Sequence, residues 1–186
     1  MEVLDQTLIQ THERTVKYGG FWPRLGAMLI DGLILAPFTF GITYYNITSW
    51  KSPLLLVLLT LLTVAYKPFL EFTYGATLGK MSLKLKVVNL QYESATLGEI
   101  LMRNIFHILP SLVTLYFTID IYNDPEFADV TGFMQYSAFS QKFTSLQFIS
   151  VGSGLLLIVD AIVLLADKYK RSLHDKIGQT CVIDQS

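Results

Sequence analysis

Four long apolar runs dominate the pattern of hydrophobic and polar positions along the chain. They cover about residues 24–46, 53–74, 97–120 and 147–167. Each run is close to the ~20 residues that an α-helix needs to cross the hydrocarbon core of a bilayer. The pattern therefore predicts an all-α integral membrane protein with four transmembrane helices, in one domain that extends over residues 1–186.

Polar residues interrupt the third run, which is the weakest of the four. Arg103, Asn104, His107 and Pro110 all lie within it. We expect it to span the membrane, because proline and polar groups are tolerated where neighbouring helices satisfy them. The alternative is an amphipathic helix that lies in the membrane interface.

The segments beside the runs predict a small β element. Residues at about 82–90, within the loop 75–96, alternate apolar and polar side chains, which is typical of a strand. The tail 168–186 contains a second short β-rich stretch at about 179–183. An isolated hairpin is only marginally stable in water, so a paired element should lean on the helices or on the membrane surface.

Two further local patterns concern the ends of the third run. Thr96 and Glu99 have the T-x-x-E spacing of a capping box, which predicts a helix start.

The long segment 121–146 combines acidic and aromatic residues. We interpret it as a solvated outer loop whose aromatic side chains dip into the interface; the alternative is an acidic vestibule that concentrates cations.

Basic residues are distributed unevenly around the runs and predict the orientation. Of the 14 lysines and arginines, ten lie before or at the first residue of the first run, in the loop 75–96 or in the tail, and only two lie in the other connections. Positive residues favour the cytoplasmic side. Both termini and the loop 75–96 are therefore predicted to be cytoplasmic.

Composition narrows the function classes. Hydrophobic residues make up 52% of the chain and charged residues 16%, with a net charge of −1. Such a chain has no basic field that would attract nucleic acid. The single cysteine, Cys181, excludes a disulfide framework. Because no catalytic, phosphate-binding or metal-binding motif is present, we predict no enzymatic activity, no cofactor and no metal site.

Ionisable residues inside the runs are the main candidates for chemistry, since each is costly in lipid. The candidates for an ion or proton site are Asp31, Asp160, His107 and Glu71. Lys67 lies four positions before Glu71, so the two can form a structural ion pair on one helix face. Arg103 is expected to be a structural partner of Asp31 or Glu71.

Three sequence blocks together resemble the RDD family of small, mostly bacterial membrane proteins. They are FWPRLGAMLIDG at residues 21–32, YGATLGK at residues 74–80 and RSLHDK at residues 171–176. By motif position the signature arginine and two aspartates correspond to Arg24, Asp31 and Asp175. An Arg24–Asp175 pair would pin the tail beneath the helices, because a guanidinium can hold a carboxylate through two hydrogen bonds.

The resemblance implies an integral membrane protein of the bacterial cytoplasmic (inner) membrane. Cation or proton-coupled transport, as in ion antiport, has been proposed within the family. Four helices leave little room for a sealed path, so transport would favour a homo-oligomer with a monovalent cation or a proton as its substrate. The alternative is a non-transporting scaffold or accessory subunit that binds a membrane-protein partner.

Overall fold

The computed structural model describes residues 16–186, which form four long helices, four short helices and a two-stranded sheet. In chain order the elements are α1 (Phe21–Tyr45), α2 (Pro53–Tyr74), α3 (Leu78–Ser82), β1 (Leu85–Asn89), α4 (Leu97–Arg103), α5 (Ile105–Asn123), α6 (Phe133–Ser140), α7 (Thr144–Ala166), α8 (Leu173–Ile177) and β2 (Thr180–Asp184). A π-helical turn, Asn46–Trp50, extends α1, and a 3-10 turn, Pro125–Asp129, precedes α6. Arg14, one of the basic residues of the charge bias, lies outside the described residues.

Four helices are long and apolar enough to cross a membrane. They are α1 with its π-helical extension (30 residues), α2 (22 residues), α5 (19 residues) and α7 (23 residues). Helix α2 packs against α5, α5 packs against α7, and α1 has its main contacts with α3. The predicted fold class, a helical membrane protein with four candidate spans and a small β element, is confirmed.

The third apolar run forms two helices instead of the single helix that was predicted. Helix α4 ends at Arg103, and Asn104 leaves helical geometry with φ −91° and ψ 5°. The Asn104 side chain donates to the Ile100 carbonyl oxygen at 2.9 Å, which gives the backbone a local alternative to a continuous helix. The candidate span is therefore α5 alone, while α4 lies outside it.

Helix α4 begins where its capping box was predicted. The Glu99 amide donates to the Thr96 hydroxyl at 3.3 Å, and the Glu99 carboxylate accepts from the Thr96 amide at 2.7 Å. Two of the amides at the helix start are thereby satisfied.

The two strands pair antiparallel, from Leu85 opposite Asp184 to Asn89 opposite Thr180. This places the predicted strand segments next to each other. Buried side chains of both strands contact Ala27 of α1 and Ile100 of α4 in one apolar cluster. The sheet is thus supported by the helices, as so small a sheet requires.

The sheet defines one end of the bundle, which we call the sheet end. Helices α1 and α5 begin there, and α2 and α7 end there. The opposite end, the loop end, carries the π-helical turn and the segment 121–146. That segment is not a simple loop: Phe127 is only 2% exposed and packs with Phe139 and Tyr122 in an aromatic cluster. Of the aromatic side chains in this segment, Phe127 and Phe139 are buried inside the protein, whereas Phe133 is 48% exposed.

Candidate functional site

Five ionisable side chains from five elements meet at the sheet end, and we call this group the ion network. Its members are Arg24, Glu71, Lys80, Arg103 and Asp175. The side chains of Glu71 and Asp175 are 0% exposed and that of Arg103 is 1% exposed. Charges so deeply buried persist only when they are paired and hydrogen-bonded.

Asp175 is the centre of one half of the network. Arg24 donates from Nη1 to Asp175 Oδ2 at 2.5 Å, and Arg103 donates from Nη1 to Oδ1. The Ser172 amide also donates to Oδ2, at 3.1 Å, within the capping box of α8. Arg24 and Asp175, expected from the sequence to pair, are thus in contact, and a further bond from Arg24 to the Lys170 carbonyl oxygen (2.7 Å) fastens the tail to α1.

Glu71 is the centre of the other half. Lys80 donates from Nζ to Glu71 Oε1, and Asn104 donates from Nδ2 to Oε2 at 3.0 Å. Arg103 Nε lies 3.3 Å from the same Oε2. Because Arg103 contacts both Glu71 and Asp175, it joins the two halves.

The predicted Lys67–Glu71 ion pair is wrong. Both Glu71 oxygens are occupied by groups from other elements, and Lys67 forms no ion pair with any residue in 16–186. Lys80, the actual lysine partner, was missed, although it is the last residue of the YGATLGK block. Thr77 caps α3 by accepting from the Lys80 amide at 3.4 Å, which turns this block back onto the helices.

Asp31 accepts three hydrogen bonds from neutral donors. They come from the Tyr66 hydroxyl (2.9 Å), the Thr77 hydroxyl (2.6 Å) and the Gly79 amide (2.7 Å). Of the two partners expected for Arg103, Glu71 is the one that it contacts, while Asp31 is not paired with it. The physical reason is that α3 folds back against α1. This brings the Thr77 hydroxyl and the Gly79 amide within hydrogen-bond distance of the Asp31 carboxylate.

Asp160 and His174 form a second polar contact beside the ion network. Asp160 Oδ1 accepts from the His174 amide at 3.1 Å and lies 2.8 Å from His174 Nδ1. Burial lowers the pKa of His174, which favours the neutral imidazole, and the tautomer with its proton on Nδ1 donates to Asp160 Oδ1. His174 Nε2 lies 3.5 Å from Asp175 Oδ1, so the imidazole ring stands between Asp160 and the network.

The four predicted ion or proton candidates do not form one site. Glu71 belongs to the ion network, Asp160 touches it through His174, and Asp31 is held by α3. The His107 side chain is exposed and faces the backbone of Thr63. No group of His, Cys, Asp and Glu side chains in residues 16–186 is arranged to hold a metal ion.

The network and its surroundings are balanced in charge. The carboxylates are Asp31, Glu71, Asp160 and Asp175, and the basic groups are Arg24, Lys67, Lys80 and Arg103. Four charges of each sign give a formal charge of zero when His174 is neutral. Such an arrangement can hold the helix ends together without leaving an uncompensated buried charge.

We expect Asp31→Asn to lower the free energy of unfolding by ~1–3 kcal/mol, because the new NH₂ group would face donors that already require an acceptor. The measurement is thermal unfolding in detergent. Asp120→Asn is the matched control, since Asp120 is exposed and makes no side-chain hydrogen bond with the described residues. An unchanged Tm for Asp31→Asn would contradict the three-donor arrangement.

Comparison with known proteins agrees with the resemblance seen in the sequence. The model of the RDD family matches residues 18–179, a range that contains Arg24, Asp31 and Asp175. No curated protein and no solved structure is similar enough to the chain to count as a match. With four candidate spans and a family match over most of its length, the chain belongs to the RDD family.

Proposed function

We propose that this protein exchanges a monovalent cation for protons across the membrane. The observation that carries the proposal is Lys67, a basic residue inside a candidate span that has no ion partner among residues 16–186. An ionisable group inside a membrane is costly, and such a group is by default a candidate for an ion or proton path. If the ion network only stabilised the fold, the pairs that Glu71 and Asp175 already make would be sufficient, and Lys67 would not be needed.

A homo-oligomer is part of this proposal. Between 6% and 11% of the residues in the apolar windows of the spans are buried within the chain. Wide apolar helix faces are therefore available to lipid or to further copies. Association of several copies would enclose a path that four helices alone do not surround.

The test is cation-driven proton movement in vesicles. Purified protein is reconstituted with a pH-sensitive dye inside, and an inward gradient of Na⁺ or K⁺ is applied. We expect the internal pH to rise with the unsubstituted protein and to stay constant with Lys67→Met. Because Lys67 has no ion pair to lose, this variant should fold normally, which thermal unfolding in detergent checks.

Lys142→Met is the matched control for this assay. Lys142 is 58% exposed and pairs with Glu126 far from the ion network, so its loss should leave the flux unchanged. Absence of flux with the unsubstituted protein for both cations would contradict the proposal. Undiminished flux with Lys67→Met would show that Lys67 is not the group involved.

A scaffold or accessory role is the second candidate. It is favoured by the occupation of the carboxylates, since Asp31, Glu71 and Asp160 all accept hydrogen bonds from groups of the protein itself. Under this alternative, well-folded protein gives no flux and instead forms a stable complex with a membrane-protein partner. The vesicle assay therefore separates the two functions.

We also propose that the sheet end faces the cytoplasm, in the inner membrane of a bacterium. The support is the ten-to-two distribution of basic residues between the connections on the two sides.

Single cysteines report this orientation when they are placed in a Cys181→Ser background. We expect cysteines at Gln91 and Ser186, both exposed at the sheet end, to be protected from an impermeant thiol reagent applied to whole cells. A cysteine at Thr131, exposed at the loop end, should react. Permeabilised cells are the control in which all three must react, and labelling of Gln91 from outside intact cells would contradict the orientation.

A further inference from the structure

Helices α3 and α4 at the sheet end carry charged side chains on their inner faces and apolar side chains on their outer faces. Lys80 of α3 and Arg103 of α4 are buried in the ion network. The largest outward side chains are all apolar and between 38% and 53% exposed: Leu78, Met81, Leu97, Leu101 and Met102. This is the reverse of the pattern of a helix on the surface of a soluble protein, so it favours an apolar environment outside both helices.

The length of α5 indicates the depth at which α4 lies. Helix α5 has 19 residues, which measure ~28 Å at 1.5 Å per residue. This matches the ~30 Å of the hydrocarbon core, so a spanning α5 has its two ends at the two edges of the core. Helix α4 ends at Arg103, two positions before α5 begins, and two positions reach at most about 7 Å. The end of α4, with Leu101 and Met102, therefore lies in the layer of the lipid headgroups, which is ~5–7 Å thick on each side.

Four lysines at the sheet end make no ion pair and no side-chain hydrogen bond with any residue in 16–186: Lys84, Lys86, Lys168 and Lys170. Lys168 follows the last residue of α7 by two positions. The stem of Lys86 passes the end of α2, where a Cβ atom on Gly75 would lie 2.9 Å from Lys86 Cε. Free ammonium groups are therefore present close to the ends of two candidate spans.

The carboxylates at this end do not neutralise the four lysines. Asp167 and Asp184 are already paired with other basic side chains. Glu99 is held in the capping box of α4, and the exposed Glu93 can offset only one charge. The described part of the sheet end therefore has an excess of positive charge.

The loop end has the opposite character. Lys51 donates to two carbonyl oxygens of the 3-10 turn, and Lys142 pairs with Glu126, so both lysines there are engaged. Exposed carboxylates that make no ion pair with the described residues lie at the same end: Asp120 and Asp129. Attraction for an anionic surface is thus confined to the sheet end of the described structure.

We propose that the sheet end is a docking surface for anionic phospholipids. The four free lysines contact the phosphate groups, and the outer faces of α3 and α4 contact the adjoining apolar part of the lipid. A phospholipid fits because it combines negative charge and apolar chains in one molecule, and clusters of basic residues next to a span attract anionic lipids. The proposal is independent of cation exchange and holds whichever side of the membrane the sheet end faces.

Quenching of tryptophan fluorescence by brominated lipids measures this preference at each end separately. The chain has two tryptophans, Trp22 at the sheet end and Trp50 at the loop end, and both are exposed. Trp22 is a suitable reporter because Gly19, three positions before it, packs against Leu85, the chain neighbour of two of the lysines. Trp50→Phe and Trp22→Phe each leave one reporter.

The variants are reconstituted in bilayers that mix brominated phosphatidylglycerol with phosphatidylcholine, and quenching gives the ratio of the two association constants beside the remaining tryptophan. One lysine near an anionic surface contributes about a fivefold preference, so we expect a ratio of at least about five at Trp22 and of about one at Trp50. A ratio of about one at Trp22, or equal ratios at the two ends, would overturn the proposal.

Substitutions in the Trp50→Phe background test the lysines, and thermal unfolding in detergent checks that each variant folds. Lys84→Gln combined with Lys168→Gln should lower the ratio at Trp22 at least about fivefold. Lys84→Arg combined with Lys168→Arg should keep it, because arginine preserves the charge. Lys142→Gln, at the loop end, is the matched control and should leave it unchanged. An unchanged ratio in the glutamine variant would overturn the role of these lysines, and loss of the preference in excess glycerol phosphate would overturn a lipid as the occupant in favour of a soluble anion.

A nitroxide spin label measures the depth of α4 directly. We expect a label on Leu101→Cys, in the Cys181→Ser background, to collide more often with oxygen dissolved in the bilayer than with a water-soluble nickel complex. A label on Gln91→Cys, which is exposed between β1 and α4, is the control and should show the reverse. Preferential collision of the Leu101→Cys label with nickel would overturn the contact between α4 and lipid, and it would leave the vesicle test of cation exchange unaffected.

Discussion

Gly79→Ala is expected to prevent stable folding, with a loss of more than about 3 kcal/mol in the free energy of unfolding. A Cβ atom at this position would lie 2.0 Å from the Ala27 carbonyl oxygen and 2.9 Å from the Asp31 carboxyl carbon. Both neighbours belong to α1, and the backbone oxygen cannot rotate away. The substitution should therefore push α3 off α1 and break the Gly79–Asp31 hydrogen bond.

Gly98→Ala is the matched control for this substitution. Gly98 also lies near the start of a short helix, but a Cβ atom there would meet nothing within 4 Å. Alanine should be neutral or stabilise α4 by up to ~1 kcal/mol. Thermal unfolding and the elution profile in detergent measure both variants, and equal stability of the two would contradict the close packing of α3 against α1.

Asp175→Asn is expected to cost about 3–5 kcal/mol of stability, because it leaves the buried charges of Arg24 and Arg103 without their shared carboxylate. Glu126→Gln is the matched control. Glu126 also pairs with a basic side chain, but it is 69% exposed, and exposed pairs contribute only about 0–1 kcal/mol. Unfolding in detergent should separate the two variants clearly.

A double-mutant cycle then tests the contact itself. Arg24→Gln removes the partner that lies 2.5 Å from Asp175. If the Arg24 and Asp175 side chains are in contact, the double variant should lose clearly less free energy of unfolding than the sum of the losses in the two single variants. Strict additivity would mean that the Arg24–Asp175 interaction contributes nothing measurable.

The membrane fold could be predicted from the sequence because its signal is repeated over many residues. Four long apolar runs, the alternation near residues 82–90 and the capping box at Thr96 each have a local physical cause. The Arg24–Asp175 contact could be expected only through the family blocks, since its members are 151 positions apart. The break at Asn104 was not predicted, because its cause is a pair of side-chain hydrogen bonds, one of them to another helix.

The partners of the buried carboxylates were harder to predict. Lys67 is four positions before Glu71 and is a reasonable partner by helix geometry, yet Lys80 and Arg103 occupy the carboxylate. Lys80 rather than Lys67 reaches Glu71 because the chain at Thr77 and Gly79 turns α3 back onto α1. The same turn brings the Thr77 hydroxyl and the Gly79 amide to the Asp31 carboxylate. A single sequence contains the residues of this turn but not the tertiary contact that it makes.

The late position of Asp175 in the chain has a consequence for biosynthesis. Arg24 and Arg103 are synthesised well before Asp175, the carboxylate that they share, and all four candidate spans precede α8. During synthesis these charged groups must be tolerated at the edge of the membrane without their final partners. The pairing of β1 with β2 and the completion of the sheet end can therefore only follow synthesis of all four candidate spans.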